Sequence, residues 1–437
     1  MNDHPRILIA GTGPASIQMA VLLKNRWNCA AGIVGRPSAR SESFFAALHP
    51  NGLRVRADVQ NPQHRELEGE CRLDHVFQEY EVVAGPWDTL ILAVTADAYL
   101  EVLKRLSDDV LRGIRRVALL SPTFGSNSLI RQFMNDRSSE VEIISFSTYL
   151  GDTRWAQDRP SHRVVTTGVK KKVFIGSTQA DSPFVEKLRT LYQSIGIVLE
   201  PMRSPFEAET RNISLYVHPP LFMNEFALDV LFGEASAKKY VYKLFPEGPI
   251  TPELVRQMLA SWKEISAILD KLRLRGVNLL KFMVDDNYPV RPESLPRRDI
   301  EEFPNLEAVR QEYLLYVRYA SLLIDPFSEP DSNGRYYDFS TVPIRTIFVN
   351  REGRWDIPRM PKEDYYRIKI IQGIARHLRS DCPTIDRYLA IYERKLGDAA
   401  LKLRGERLSD AFQVRSFEED IERICESIDA GFHTTHE

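Results

Sequence analysis

The segment that most constrains the fold is Arg6-Ile-Leu-Ile-Ala10, followed at once by Gly11-Thr12-Gly13-Pro14-Ala15-Ser16. The short apolar run has the length and composition of a buried strand. Beyond the turn, residues 16–24 carry apolar side chains at helical spacing, among them Ile17, Ala20 and Val21. Gly11 permits a tight turn, and Gly13 has no side chain to obstruct a pyrophosphate resting on a helix N-terminus. Ser16 stands at the third position of the glycine pattern and is small enough for close helix–strand packing. Strand, glycine turn and helix in this order form a nucleotide-binding βαβ unit, which commits the chain to a mostly parallel sheet.

The rest of the N-terminal half continues the alternation. Strand patterns recur at residues 30–34, 89–94, 117–120, 142–146 and 172–175, with a helix over 98–106. From about residue 205 the pattern turns helical, with apolar periodicity over 219–231, 252–274, 307–324, 363–378 and 385–403. At 437 residues the chain has room for two or three domains. The expected fold class is α/β: a doubly wound Rossmann domain over residues 1–205 and a mainly helical domain over 206–437.

The end of the second strand selects the nucleotide. A dinucleotide without a 2′-phosphate is usually held there by Asp or Glu. Here the strand runs into Gly35-Arg36-Pro37-Ser38-Ala39-Arg40, with no carboxylate. Guanidinium groups make bidentate, charge-assisted bonds to phosphate, so NADP(H) is the expected cofactor. Arg36 is the primary contact, with Ser38 and Arg40 as helpers. Thr95 and Ala96, and then Ser121, Pro122 and Thr123, follow two later strands and complete the expected cofactor set beside Gly11, Thr12, Gly13, Pro14 and Ala15.

Composition removes other classes. The net charge of -2 gives no electrostatic case for nucleic acid or an anionic membrane as partner. The four cysteines are Cys29, Cys71, Cys382 and Cys425, too scattered for a zinc motif. They read as free thiols of a reducing compartment. No apolar stretch reaches membrane-spanning length. A cytoplasmic protein without a metal centre is the expectation.

A dehydrogenase also needs a group that exchanges a proton near the hydride path. Of nine histidines, His218 stands out, since it precedes Pro219-Pro220 just past the change in texture. The two prolines suit a helix start, which places His218 at or beside a helix N-terminus. A histidine there either caps the helix or is held neutral and ready to exchange a proton. Asp152 follows another strand and is either a turn residue or part of the catalytic and substrate site. Asn212, Asn224, Tyr240 and Lys243 are further candidate substrate contacts.

Long stretches resemble one family. Ser121-Pro-Thr-Phe-Gly125, Ser145-Phe-Ser-Thr-Tyr-Leu-Gly-Asp152-Thr-Arg154, Leu215-Tyr-Val-His-Pro-Pro-Leu-Phe-Met-Asn224, Tyr240-Val-Tyr-Lys-Leu-Phe-Pro-Glu-Gly-Pro249 and Tyr313-Leu-Leu-Tyr-Val-Arg-Tyr319 are similar to segments of the opine metallophore dehydrogenases. The resemblance implies a Rossmann domain joined to a helical opine-dehydrogenase domain, usually as a homodimer. It implies NADPH-dependent condensation of an α-keto acid with an amine built from histidine and an aminobutyrate unit. His218 becomes the expected acid/base and Arg36 the 2′-phosphate contact. The family divides between pyruvate and 2-oxoglutarate users. A carboxylate at Asp152 would repel the second carboxylate of 2-oxoglutarate, so pyruvate is expected. The alternatives are the same reaction with 2-oxoglutarate, a ketopantoate reductase-like enzyme and a non-catalytic NADP(H) sensor of the same fold. No lysine is singled out as the ketopantoate reductase chemistry would need.

Overall fold

Arg6–Ala10 is a strand buried over four of its five residues. The computed structural model describes residues 4–433, apart from 136, 138, 139, 158, 234–236 and 337; the side chains at 39, 40 and 431–433 also fall outside the described set. The chain forms two compact units. The first runs to Arg211 and takes in the segment from Glu422 onward; the second is Asn212–Ile421.

The first unit passes through β1 (Arg6–Ala10), α1 (Pro14–Arg26), β2 (Ala30–Val34), α2 (Ala39–Leu48), β3 (Arg54–Val59), β4 (Gly69–Arg72), β5 (His75–Phe77) and β6 (Thr89–Leu92). It continues with α3 (Tyr99–Arg105), α4 (Asp108–Gly113), β7 (Arg116–Leu119), α5 (Ser126–Asn135), β8 (Glu142–Phe146), β9 (Gly151–Trp155) and β10 (Arg163–Val169). It closes with β11 (Lys172–Ser177), α6 (Pro183–Ser194), β12 (Val198–Pro201) and α7 (Pro205–Glu209). Eight strands form one sheet in the order β12-β11-β8-β7-β6-β1-β2-β5. The strands from β5 to β8 in this order are parallel, while β11 turns antiparallel to β8. This is the expected doubly wound α/β fold.

A second sheet, β4-β3-β10-β9, was not expected from the sequence. β3 reads Arg-Val-Arg-Ala-Asp-Val, and its charged residues point outward between buried Val55 and Ala57. Its parallel partner β10 lies about a hundred residues on, so no local turn signal announces the pairing.

The second unit contains α8 (Ser214–Phe222), α9 (Glu225–Phe232), α10 (Pro252–Lys271), α11 (Leu279–Asp285), α12 (Arg297–Glu302), α13 (Ala308–Ala320), a short pair β13 (Phe348–Val349) and β14 (Trp355–Asp356), α14 (Arg359–His377) and α15 (Pro383–Lys402). α10 is its axis, packed against α8, α13, α14 and α15. Thr251 caps it by accepting from the Leu254 amide at 3.1 Å, with Pro252 at the first turn.

Three expectations are corrected here. The unit boundary falls at 211/212 rather than 205/206, because α7 packs on β8 and β11 of the large sheet. The last helix, α16 (Glu418–His433), returns its segment from Glu422 to the first unit. There Arg131 Nη2 donates to the Ser427 carbonyl at 3.1 Å and to Ser427 Oγ at 2.8 Å. The helix expected over 219–231 is two helices. Asn224 divides them: its Oδ1 accepts from the Ala227 amide at 2.9 Å to cap α9, while its Nδ2 donates to the Pro220 and Leu221 carbonyls that end α8.

α7 ends at Glu209, a fully buried carboxylate. Its Oε1 accepts from the Asn127 amide (2.7 Å) and Ser145 Oγ (2.8 Å). Oε2 accepts from the Gly125 amide and Asn127 Nδ2, both at 2.9 Å. Two of these donors are main-chain amides at the start of α5, groups that a helix cannot satisfy itself. Burial pushes the Glu209 carboxyl up to about 8 from 4.5, against the pull of these donors. Ser145 can reverse its hydroxyl and accept the proton, so the neutral acid also fits. The folded value lies above the unfolded one, so the stability this group contributes declines as pH rises from 4.5 to about 8. A glutamine in either orientation leaves one backbone amide without an acceptor. Glu209→Gln should therefore cost about 1–3 kcal/mol in urea unfolding at pH 6, and the gap to wild type should narrow toward about pH 9.

Candidate active site

In the first unit, the ends of β7, β6, β1 and β2 are level: Ala10 pairs with both Val34 and Leu92, and Leu92 with Leu119. The loops after these four strands therefore cluster at one sheet edge, and they carry the cofactor residues expected from the sequence. Gly11 has φ 129°, and a Cβ there would lie 2.7 Å from the Ala93 carbonyl oxygen. Its amide donates to the Val34 carbonyl at 2.8 Å, tying the turn to β2. Around Gly13 the situation is the reverse: a Cβ would meet nothing within 4 Å. Gly13 caps α1 without a side-chain hydrogen bond, Pro14 follows, and the first turn has no acidic residue. Pro14 has no N–H and the Ser16 amide donates to the Gly13 carbonyl at 3.1 Å, so Ala15 carries the amide of this helix start left for an anion from outside the chain, at the positive end of the helix dipole.

Thr12 is pressed onto the end of β2, since a Cβ on Gly35 would stand 2.4 Å from Thr12 Cγ2. That packing sets the glycine turn beside Arg36. The Arg36 side chain is 64% exposed, with Glu101 Oε1 3.9 Å from Nη1. Ser38 caps α2, accepting from the Ser41 amide at 3.2 Å. The Arg40 side chain lies outside the described residues. Thr95 and Ala96 open a short turn, closed by Ala98 N donating to the Thr95 carbonyl at 3.0 Å. After β7, the Thr123 amide donates to Ser126 Oγ at 3.0 Å, while Thr123 Oγ1 is buried without a hydrogen-bond partner. The same Ser121–Gly125 loop is held by Glu209 through Gly125.

The second unit contains His218, in the second turn of α8 rather than at its start. The helix begins four residues earlier because Asn212 Oδ1 accepts from the Ser214 amide at 3.1 Å. Both prolines lie inside the helix. The helix-terminus argument for a neutral imidazole therefore does not apply, and a carboxylate takes its place. His218 Nδ1 lies 3.3 Å from Asp364 Oδ1, with Asp364 fully buried and His218 16% exposed. Arg367 Nη1 donates to the same Asp364 oxygen. Phe222 meets the imidazole edge-on at 5.1 Å. His218 Nδ1 and Asp364 Oδ2 are buried without hydrogen-bond partners, so a small turn of either group joins them. With Nδ1 carrying the hydrogen toward Asp364, Nε2 is the atom free to take or give a proton.

Asp364 and Arg367 were not anticipated. The available signal was a carboxylate on the apolar stripe of α14, where Pro361, Asp364, Ile368, Ile371 and Ala375 are all buried at helical spacing. Asn224 has both amide hydrogens and its oxygen engaged in capping. Tyr240 lies on an extended segment, its amide bonded to the Glu247 carbonyl at 2.9 Å. Lys243 Nζ is 2.6 Å from Asp338 Oδ2, so its charge is already matched.

Asp152 lies in the first unit, on β9. Its carboxylate is 55% exposed, accepts from Arg154 Nε at 2.9 Å and Nη2 at 2.5 Å, and takes a third bond from Thr167 Oγ1 at 3.0 Å. It therefore belongs to a different unit from His218. Among the described residues no group of three or more His, Cys, Asp or Glu is arranged to hold a metal ion. Among the described residues no helix is long and apolar enough to cross a membrane.

A phosphate-ready helix start in a doubly wound unit and a carboxylate-backed histidine in a helical unit define a two-unit dehydrogenase. The chain belongs to the staphylopine dehydrogenase family, whose profile matches residues 5–428, and is an enzyme of the opine dehydrogenase type. It is 45% identical over 417 residues to staphylopine synthase of Staphylococcus aureus, covering 95% of this chain and 96% of that protein. It is 38% identical over 387 residues to pseudopaline synthase of Pseudomonas aeruginosa, covering 89% of each. Among solved structures it is similar to yersinopine dehydrogenase with NADP+ bound, with a TM-score of 0.90 and 28% identity over 98% of this chain and 100% of that one.

The two glycines of the turn should separate in mutagenesis. Gly11→Ala should destabilise the protein by about 1–3 kcal/mol, through positive φ and a backbone clash. Gly13→Ala should shift stability by less than about 1 kcal/mol. Thermal unfolding of the two variants measures the contrast.

Proposed function

We propose that this chain is an NADPH-dependent opine metallophore synthase that joins an amine built from histidine and an aminobutyrate unit to pyruvate by reductive condensation. The observation that carries the reading is the open cradle at Gly13 on the α1 N-terminus, beside an exposed Arg36 guanidinium that has Glu101 at 3.9 Å. Gly11–Ala15 would hold the pyrophosphate, and Arg36 with Ser38 and Arg40 the 2′-phosphate; the Thr95–Ala96 and Ser121–Thr123 loops would line the rest. The relative seen with NADP+ bound supports the same cofactor. When bound, NADPH supplies the hydride that reduces the imine carbon.

The remaining work falls to the chain's own side chains. His218 Nε2 takes the proton that the amine nitrogen must lose to attack the keto acid, and returns one as water leaves. Asp364 stabilises the imidazolium formed in between and fixes the ring's orientation; Arg367, bonded to the same carboxylate, holds Asp364 in place. Asn212 and Tyr240 are the further contacts proposed for the substrates. Asp152 discriminates between keto acids: its carboxylate disfavours a second carboxylate on the substrate. One observation favours 2-oxoglutarate as a second reading, because Arg154 already neutralises much of that charge. The enzyme is proposed to act in the cytoplasm as a homodimer, in keeping with four buried free cysteines.

Steady-state kinetics, with NADPH oxidation followed by absorbance, should give a higher kcat/KM for pyruvate than for 2-oxoglutarate. Asp152→Ala should shift that ratio toward 2-oxoglutarate; an unaltered ratio removes Asp152 as the discriminator. In the same assay His218→Gln should lower kcat about 10²–10⁴-fold while NADPH still binds, and Asp364→Asn should lower it less.

A further inference from the structure

Among the described residues three arginines are buried: Arg211, Arg318 and Arg367, at 8%, 4% and 7% exposure. Arg211 has Glu207 at 3.5 Å, and Arg367 has Asp364. Arg318, on α13, has no carboxylate partner among the described residues. Its Nε is buried without any hydrogen-bond partner. Its Nη2 reaches only the Tyr288 carbonyl, at 3.5 Å, the limit of a hydrogen bond. The guanidinium carbon sits 4.9 Å from the centre of the Tyr319 ring, which does not neutralise the charge.

A guanidinium keeps its proton at any ordinary pH, so burial cannot be relieved by deprotonation. An uncompensated buried charge is costly, and such a group calls for an explanation. Tyr242 is within electrostatic reach of both Arg318 and Asp364. Asp364 is already paired with Arg367, so it is not the counter-charge of Arg318. By contrast Lys243, the cation that the sequence suggested for a carboxylate, is matched by Asp338.

We infer that Arg318 binds a carboxylate of the substrates, the missing counter-charge of its buried guanidinium, and so anchors the condensing molecule near His218. The fork geometry of the guanidinium suits a planar carboxylate, which Tyr319 beneath it helps to orient. The inference rests on the reductive condensation proposed above. Both reactants carry carboxylates, and the two sources are separable.

The test uses the full-length enzyme, NADPH at saturation, pyruvate, and the amine built from histidine and aminobutyrate. Arg318→Met should raise KM for one of these two substrates about 100-fold, and Arg318→Lys about tenfold, while NADPH affinity stays at the wild-type value. The substrate whose KM moves is the one Arg318 holds. Unchanged KM values for both overturn the inference, as does a loss of NADPH affinity parallel to the loss of activity, which marks a structural role. If Arg318→Met does not fold, the wild type decides: replacing the carboxylate of pyruvate or of the amine by a carboxamide should raise KM comparably for one of them. Carboxamides accepted as well as the acids overturn the inference. If the wild-type enzyme turns over neither keto acid, the proposed reaction is what fails. Calorimetric binding of pyruvate and the amine to wild type and Arg318→Lys then decides on Arg318 alone, equal affinities refuting it.

Discussion

Glu209 is the interaction on which the rest of the first unit's functional edge depends. A carboxyl group with no solvent exposure is tolerated because four hydrogen-bonding groups converge on it, two of them amides that the start of α5 leaves open. It thereby ties α7, α5, β8 and the Ser121–Gly125 loop into one arrangement. The loop that it fixes stands level with the glycine turn, because four parallel strands end together. Where the start of α5 is satisfied from within the chain, the start of α1 is left open. That difference explains why one helix terminus is structural and the other is ready for a ligand.

The second unit shows a related economy of charge. Asp364 is buried between His218 and Arg367, so one carboxylate both orients an imidazole and balances a guanidinium. Arg318 has no carboxylate partner among the described residues. Among the described residues two of three buried arginines are paired with carboxylates and Arg318 is not, which leaves positive potential at the place proposed for a substrate carboxylate.

How much of this was legible follows from the physical form of each signal. Six strands of the large sheet were readable because strands covered on both faces are short apolar runs, while its short edge strands β5 and β12 were not. The smaller sheet was not, because its strands alternate charged and buried residues and pair across a long stretch of sequence. The glycine turn and Arg36 were readable because backbone geometry and phosphate chemistry restrict residue type locally. The setting of His218 was misread: Pro219 and Pro220 suggested a helix start, while the Asn212 hydrogen bond begins the helix earlier. Asp364 escaped notice because its partner lies far away in the chain, and only its odd place on an apolar stripe hinted at it.

By itself, then, the sequence determined the βαβ opening, the acid-free end of the second strand and the helical character of the second unit. These depend on residue periodicity and on local backbone requirements, which neighbours in sequence express. The tertiary structure alone decided which carboxylate faces His218, which amides Glu209 satisfies, which lysine is already neutralised and which arginine is not. Those are pairings between groups distant in the chain, and Coulombic and hydrogen-bond energies depend on distance in space, which no stretch of sequence contains.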